Sequence, residues 1–438
     1  MSKLLKVMVA LLAIAAIAAP AMAEVKINGY YRIQGTLQSP TAPTDVTAPD
    51  GKFENFNYTD NEDLDDSSFI DQRMRLKVTN SLNDRVSVVW YGEYDMPWGG
   101  KSSNTVSGGG GELSADGIGL ETKNAYVDFM INSDWSVRAG IQGAGLGGNY
   151  NGFVVWDDMN GVNFNGKLGA LDLTAGYFKW KENDFAEDDD LDYYSLDGSF
   201  DVNENFMIGL TADLMKNDST TAVNGTAAET DDYYFGTYAQ YTMHNLGFSG
   251  NFLFRNSSGD GPVDTDGDTW MLNLTAKMGL PTGNVKAHFI YMPADDSDNG
   301  ADRFSANNTE FELYNNNLQI FGSDIYYNNG SQGAINVYSA AYAGYGLMGL
   351  AVSGDYKLPE DAYFKYGLGY YMAADDSPDS TTAKDDSDLG TEVAAQIGKK
   401  FATYYDLSLR GSYAFMGDFY GDNVDDLYKV VTMLNVSF

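Results

Sequence analysis

The last eleven residues of the chain alternate. Tyr428, Val430, Thr432, Leu434, Val436 and Phe438 share one parity, and Lys429, Val431, Met433, Asn435 and Ser437 share the other. Successive side chains of a strand point to opposite faces, so this is an extended strand with one largely apolar face, closing on an aromatic residue. The segment after residue 23 mirrors it: Val25, Ile27, Tyr31, Ile33 and Leu37 alternate with Lys26, Asn28, Tyr30, Arg32, Gln34 and Thr36. Two such strands at opposite ends of a chain can zip together and abolish the open edges of a sheet.

Between them the pattern repeats as hairpins. Tight turns are expected at Ser81 to Asp84, Asn132 to Asp134, Gly169-Ala170, Asp201 to Glu204, His244-Asn245, Leu280 to Gly283, Leu358 to Asp361 and Thr403 to Tyr405. All but the last are rich in the Asn, Asp, Gly or Pro that such turns use. Long loops are expected near 38–67, 96–117, 143–161, 181–190, 216–231, 256–267, 294–333, 373–389 and 417–427. Eight turns and nine loops join eighteen strands, an even number that puts both ends on the short-turn side. The stretch 310–345 has no clean period; a hairpin hidden there would make twenty strands, and a merged strand elsewhere sixteen.

The first residues carry Lys3 and Lys6, an apolar run from Val7 to Pro20, and the exit Ala21-Met22-Ala23. These are the three parts of a secretory signal, with cleavage expected after Ala23 and residues 24–438 forming one domain. No later segment approaches the roughly 20 continuous apolar residues of a membrane helix, so a membrane would be crossed by strands. With 31 Tyr, 23 Phe and 6 Trp beside 48 Gly and only 10 Pro, the chain suits aromatic-girdled strands and tight turns. The expected fold is an all-β, transmembrane antiparallel barrel, and at sixteen strands or more such barrels enclose an aqueous lumen. The expected location is the outer membrane of a Gram-negative bacterium, among lipid and lipopolysaccharide.

A net charge of −35 excludes nucleic acid as a partner, and the absence of Cys excludes disulfides, thiolate metal sites and covalent haem. The 38–67 loop holds Asp45, Asp50, Glu54, Asp60, Glu62, Asp63, Asp65 and Asp66 against Lys52, and the 181–190 and 373–389 loops are similarly acidic. Acid at a pore mouth concentrates cations and offers oxygen ligands to Ca²⁺ or Mg²⁺. Asp264, Asp266 and Asp268 have the spacing of a calcium loop, but its sixth and twelfth positions carry Thr269 and Thr275 instead of Gly and Glu. A solvated acidic loop is the competing reading, and no other cofactor is expected.

Alternation assigns faces along the second strand. With Ile70, Met74, Leu76 and Val78 toward lipid, Asp71, Arg73, Arg75 and Lys77 point inward. Arg32, Arg138 and Arg410 follow by the same rule and complete a basic arc; Arg255, Lys277, Lys286 and Lys365 extend it elsewhere. Such an arc lowers the barrier to an anionic solute, unless the arginines pair with the inward acids Asp71, Glu93, Asp95, Asp128 and Glu392. The Gly-rich third loop is a candidate constriction if it folds inward, carrying Trp156, Asp157 and Asp158.

The segments from Asp71 to Val78, Asn124 to Phe129 and Val137 to Gln142 resemble early strands of the alginate-export-like outer-membrane porins. That resemblance implies a monomeric barrel with an arginine-lined lumen that passes anionic polymers or small solutes, in which Arg73, Arg75 and Arg138 occupy the matched segments. Three functions compete. The first is a porin for passive diffusion of small hydrophilic or ionic solutes, as a monomer or a homotrimer. The second is a scaffolding barrel, bridged by divalent ions or sheathing a cytochrome partner. The third is an enzyme, for which His288 with Ser249 and Asn251 is the available constellation; these lie on non-adjacent strands, and His244 sits in a turn, so no enzyme is expected.

Overall fold

The structure, a computed structural model, describes residues 24–39, 66–100, 110–111, 120–144, 154–155, 157–182, 190–218, 229–260, 266–296, 302, 304, 316–321, 341, 344–375, 386–420 and 425–438. Eighteen strands form its wall: β1 Glu24–Gln38, β2 Ser67–Asn83, β3 Val86–Gly100, β4 Glu121–Met130, β5 Trp135–Ala144, β6 Asp157–Leu168, β7 Leu171–Lys181, β8 Leu191–Asn203 and β9 Phe206–Asn217. The second half comprises β10 Glu229–Met243, β11 Leu246–Asp260, β12 Gly267–Leu280, β13 Gly283–Met292, β14 Leu347–Lys357, β15 Ala362–Met372, β16 Asp388–Phe401, β17 Tyr405–Met416 and β18 Leu427–Ser437. Each pairs antiparallel with its sequence neighbours, and β1 pairs with β18, so the sheet closes. A two-residue bridge, Gly110–Gly111, runs parallel to the end of β3 and is not part of the wall. Among the described residues no helix is long and apolar enough to cross a membrane.

All eight expected turns join consecutive strands. Several are closed by an Asn side chain that accepts from backbone amides two and three residues on, as Asn83 Oδ1 does from Arg85 and Val86, and Asn132 Oδ1 from Asp134 and Trp135. Connections two and six begin later than expected, at 101 and 261, and connections seven and three also differ. Connection seven runs 293–346 rather than 294–333, its described stretch Asn316–Phe321 is not a strand, and the described residues form eighteen wall strands. Connection three is shorter than 143–161, because β5 extends to Ala144 and β6 begins at Asp157.

The outer face explains what holds such a sheet in place. Leu196, Leu210, Leu274, Leu350, Leu368, Val393 and Leu409 point outward and are exposed, Leu210 to 64%. Exposed aromatics flank this belt: Phe200, Tyr241, Phe248, Phe401 and Tyr405 toward the short turns, and Tyr177, Tyr194, Phe235, Tyr370 and Tyr413 toward the long loops. A continuous apolar surface of this extent is incompatible with water around the barrel and matches the band-and-girdle surface of a transmembrane barrel.

Inside, the two halves of the barrel differ. On β1 the inward residues Glu24, Lys26 and Asn28 are exposed, Tyr30 is half-buried, and Arg32, Gln34, Thr36 and Gln38 are buried. On β18 the inward series runs from exposed Ser437 through Asn435 to buried Met433, Val431 and Lys429. A hydrated vestibule on the turn side therefore narrows at the level of Arg32.

Beyond that level the simple apolar-out rule fails. Phe178, Tyr193, Met215, Ile290 and Tyr371 point inward near the loop ends of their strands, Tyr234 and Met271 lie a little deeper, and Leu253 sits at mid-strand. They pack with Val154, Val155, Phe304, Leu318, Ile320 and Phe321 from connections three and seven. The barrel thus has a hydrophobic core of its own on the loop side. Burying each such side chain stabilises it by about 1.5–3 kcal/mol.

Candidate functional site

Four adjacent strands carry the charged part of the inner wall. Cross-strand register sets Arg32 opposite Arg73, Arg73 opposite Asp95, and Arg75 opposite Glu93. Opposed like charges destabilise a sheet unless neighbours compensate them. Here Asp71 lies 3.9 Å from Arg32, and Arg73 reaches Asp95 at 2.5 Å and Glu93 at 3.5 Å. Arg75 pairs with the same Glu93, and Lys123 on β4 lies 3.9 Å from it. Glu93 is therefore the shared counter-charge of three cations.

The row continues around the vestibule. Arg138 on β5 donates to both oxygens of Asp128 on β4, at 2.7 and 3.1 Å, and its guanidinium stacks 4.1 Å from the ring centre of Tyr126. The side chains of Arg138 and Asp128 are 39% and 36% exposed, against 10% for Arg73, which locates this pair in the wider, hydrated part of the lumen. Lys77 lies opposite Asn28, also on the vestibule side. Arg255 is buried and pairs with Asp232 at 2.7 Å. The inner wall is accordingly a set of alternating ion pairs, in place of an arc of bare cations.

Arg410 does something different. It sits inward on β17, and its Nη2 donates to the backbone carbonyl of Leu318 at 3.0 Å. Glu392 on β16, expected to pair with an arginine, instead accepts from three successive backbone amides: Gln319 at 2.6 Å, Ile320 at 3.1 Å and Phe321 at 2.7 Å. Gln319 Nε2 adds a bond to Ser412 Oγ at 2.8 Å, and Asn317 Nδ2 bonds the carbonyls of Gly354 and Tyr366 at 3.3 and 3.1 Å. Connection seven is thus fixed against the inner wall of β14–β17.

His288 belongs to the same attachment. Its Nε2 lies 2.9 Å from Asn273 Oδ1, and its Nδ1 lies 3.1 Å from Asn316 Nδ2. With the proton on Nε2 the ring donates to Asn273 on the neighbouring strand β12 and accepts from Asn316, so one nitrogen is tied to the wall and the other holds the loop. Ser249 faces Thr275 across the β11–β12 pair, with β12 separating it from His288 on β13.

The acids assigned to a third-loop constriction stand at the start of a wall strand. Asp157 and Asp158 open β6, where Asp158 accepts from Asn124 Nδ2 at 2.6 Å and pairs with Lys123 at 3.0 Å. The residues of this connection that do reach the interior core are Val154 and Val155, because the apolar interior favours them over carboxylates. Trp156 lies outside the described residues, as does Asp264. Asp266 accepts from the Gly259 amide at 3.1 Å, and Asp268, on β12, accepts from Asn256 at 2.7 Å. Among the described residues no group of three or more His, Asp or Glu side chains is placed to hold a metal ion.

Sequence reasoning missed Asn316–Phe321 as an element packed against the inner wall. Its side chains carry no periodicity, and its partner Glu392 is 73 positions away from Gln319.

A closed eighteen-stranded barrel with an apolar belt, a charged inner wall and loops packed into its lumen is the fold of a large porin. No protein-family profile and no curated protein matches the chain at the level of sequence. The fold is similar to crystal structures of Pseudomonas aeruginosa channels. For OccK8 (OprE) the TM-score is 0.56 at 10% identity, covering 95% of this chain and 98% of that one. For OpdK determined with vanillate it is 0.54 at 11% identity, over 95% and 98%. For OprD it is 0.53 at 11% identity, over 97% of each chain.

Proposed function

We propose that this chain is an outer-membrane porin, a channel through which small hydrophilic or ionic solutes diffuse passively. The observation that carries this reading is the inversion of polarity across the wall: exposed Leu210, Leu350 and Leu409 outside, and the Arg73–Asp95, Arg75–Glu93 and Arg138–Asp128 pairs inside. One structure of similar fold holds vanillate, and the same protein is described as an outer membrane protein of Pseudomonas aeruginosa. In this reading residues 1–23 are the export signal, and the acidic outer loops bind divalent ions that bridge them to lipopolysaccharide phosphates.

The narrowing at Arg32 and the interior core favour small solutes over a polymer. That weighs against the polyanion passage implied by the resemblance to alginate-export-like porins. Interior packing also gives the scaffolding alternative its one physical argument, since a fully packed barrel would conduct nothing.

A single experiment separates the two. The purified, heat-modifiable barrel is reconstituted into a planar bilayer in a salt gradient. Discrete conductance steps support the porin, and their absence from demonstrably folded protein supports the scaffold.

A further inference from the structure

The attachment of connection seven has a built receiving surface. Gly367 and Gly369 on β15 face inward and are bare because the loop occupies the space a side chain would need. A Cβ at Gly367 would lie 2.3 Å from the Asn316 carbonyl oxygen, and one at Gly369 would lie 2.6 Å from Leu318 Cδ1. Ala394 and Ala414 continue this lane of small residues on β16 and β17, both almost fully buried.

Two charged groups grip the segment within the lane, and their signs match the backbone atoms they meet. Arg410, a cation, takes the Leu318 carbonyl, and Glu392, an anion, takes the next three amides. Successive amides turned toward one point form an anion-binding concavity, here filled by a side chain of the protein itself. Among the described residues no cation forms a salt bridge with Glu392, so its charge is spent on the loop. Hydrogen bonds to a carboxylate are about twice as strong as neutral ones, and three converge here.

The geometry points to Glu392 as the positioning residue that sets the bore of the channel: by holding Gln319, Ile320 and Phe321 on the wall, on the loop side of the vestibule, it fixes how far the Asn316–Phe321 segment stands into the lumen. This rests on the channel reading above. It assigns the constriction to a clamp between wall and loop, in place of the third-loop acids.

The test exploits the lack of cysteine in the full chain. Gln319→Cys supplies a single thiol at a position only 2% exposed. Its reaction with a water-soluble, membrane-impermeant maleimide is timed in vesicles, and single-channel conductance is recorded on the same protein. Adding Glu392→Gln should accelerate labelling by about tenfold or more, as the loop opens locally, and change the conductance level.

Because that change also removes a charge, Gly367→Ala serves as a second variant. It displaces the loop sterically with the lumen charge unaltered, and it should move labelling and conductance in the same directions. It also covers the case in which Glu392→Gln does not give a folded, heat-modifiable barrel.

Labelling unchanged in folded variants overturns the clamp. Faster labelling at unaltered conductance overturns the assignment of the bore. If the parent itself shows no channel steps while labelling still responds, the channel reading fails together with the bore, and the clamp stands.

Discussion

Gly29 and Phe438 exchange two backbone hydrogen bonds, Gly29 N to Phe438 O at 2.8 Å and Phe438 N to Gly29 O at 2.9 Å. They close the barrel at its turn-side seam. The Phe438 ring lies where Gly29 has no side chain: a Cβ there would approach Phe438 Cζ to 3.2 Å and the Arg75 carbonyl oxygen to 2.2 Å. Gly29→Val should therefore strain β1 against both β2 and β18. Deleting Phe438 should remove the two bonds, worth about 1 kcal/mol each, and the packing of the ring. Both variants should give less folded barrel on refolding, seen as a smaller fraction of the heat-modifiable band. Normal yields from both would show that the seam does not depend on this pair.

The membrane reading makes the two faces of a strand respond differently to one substitution. Leu210, exposed on the outer face midway along β9, should tolerate Arg badly, at a cost of about 2–4 kcal/mol near the bilayer midplane. Asn28, inward in the vestibule, should accept Arg with little change. Urea midpoints of the two variants in lipid vesicles measure the contrast. Equal costs would argue against lipid around Leu210.

Much of this architecture is legible in the sequence because it is local. A strand such as β18 declares its faces through its own alternation, and turns such as Gly169-Ala170 and His244-Asn245 declare themselves through their residue types. The ion pairs on the inner wall were half legible: alternation turns Arg73, Glu93 and Asp95 inward, but which partner each one meets depends on register. On β7 the signal is lost, since Tyr177 faces out and Phe178 faces in, and two aromatics in succession carry no contrast. The clamp is illegible for a stronger reason. Nothing near Glu392 or near Gln319 announces the other, because the contact joins a strand to an aperiodic loop across the interior.

His288 should act as an anchor with no chemical role. Replacing it by Ala leaves Asn273 Oδ1 and Asn316 Nδ2 facing a cavity, and each buried polar group left without its partner costs about 1–3 kcal/mol. Stability should fall by a few kcal/mol, and thiol labelling at Gln319→Cys should rise less than for Glu392→Gln, whose carboxylate holds three amides. A greater effect from His288 than from Glu392 would reverse this order and make the histidine the principal attachment.

Charge selectivity should follow the inner wall with a sign that can be worked out residue by residue. Arg73, Arg75 and Lys123 share Glu93, so Glu93→Gln leaves three cations with less compensation and should move the reversal potential toward anions. Arg75→Gln removes one of these three cations, leaving Arg73 and Lys123 with Glu93, and should move the potential toward cations. A unit charge acting at about 4 Å through water is worth roughly 1 kcal/mol, enough to change the local ion population by about fivefold. Both shifts should shrink as salt rises from 0.1 to 1 M and the screening length falls from about 10 to about 3 Å. If the acidic outer loops governed selectivity instead, both substitutions would leave the potential near that of the parent, because neither touches the loops. Opposite shifts that fade together in high salt therefore assign selectivity to the wall around Glu93.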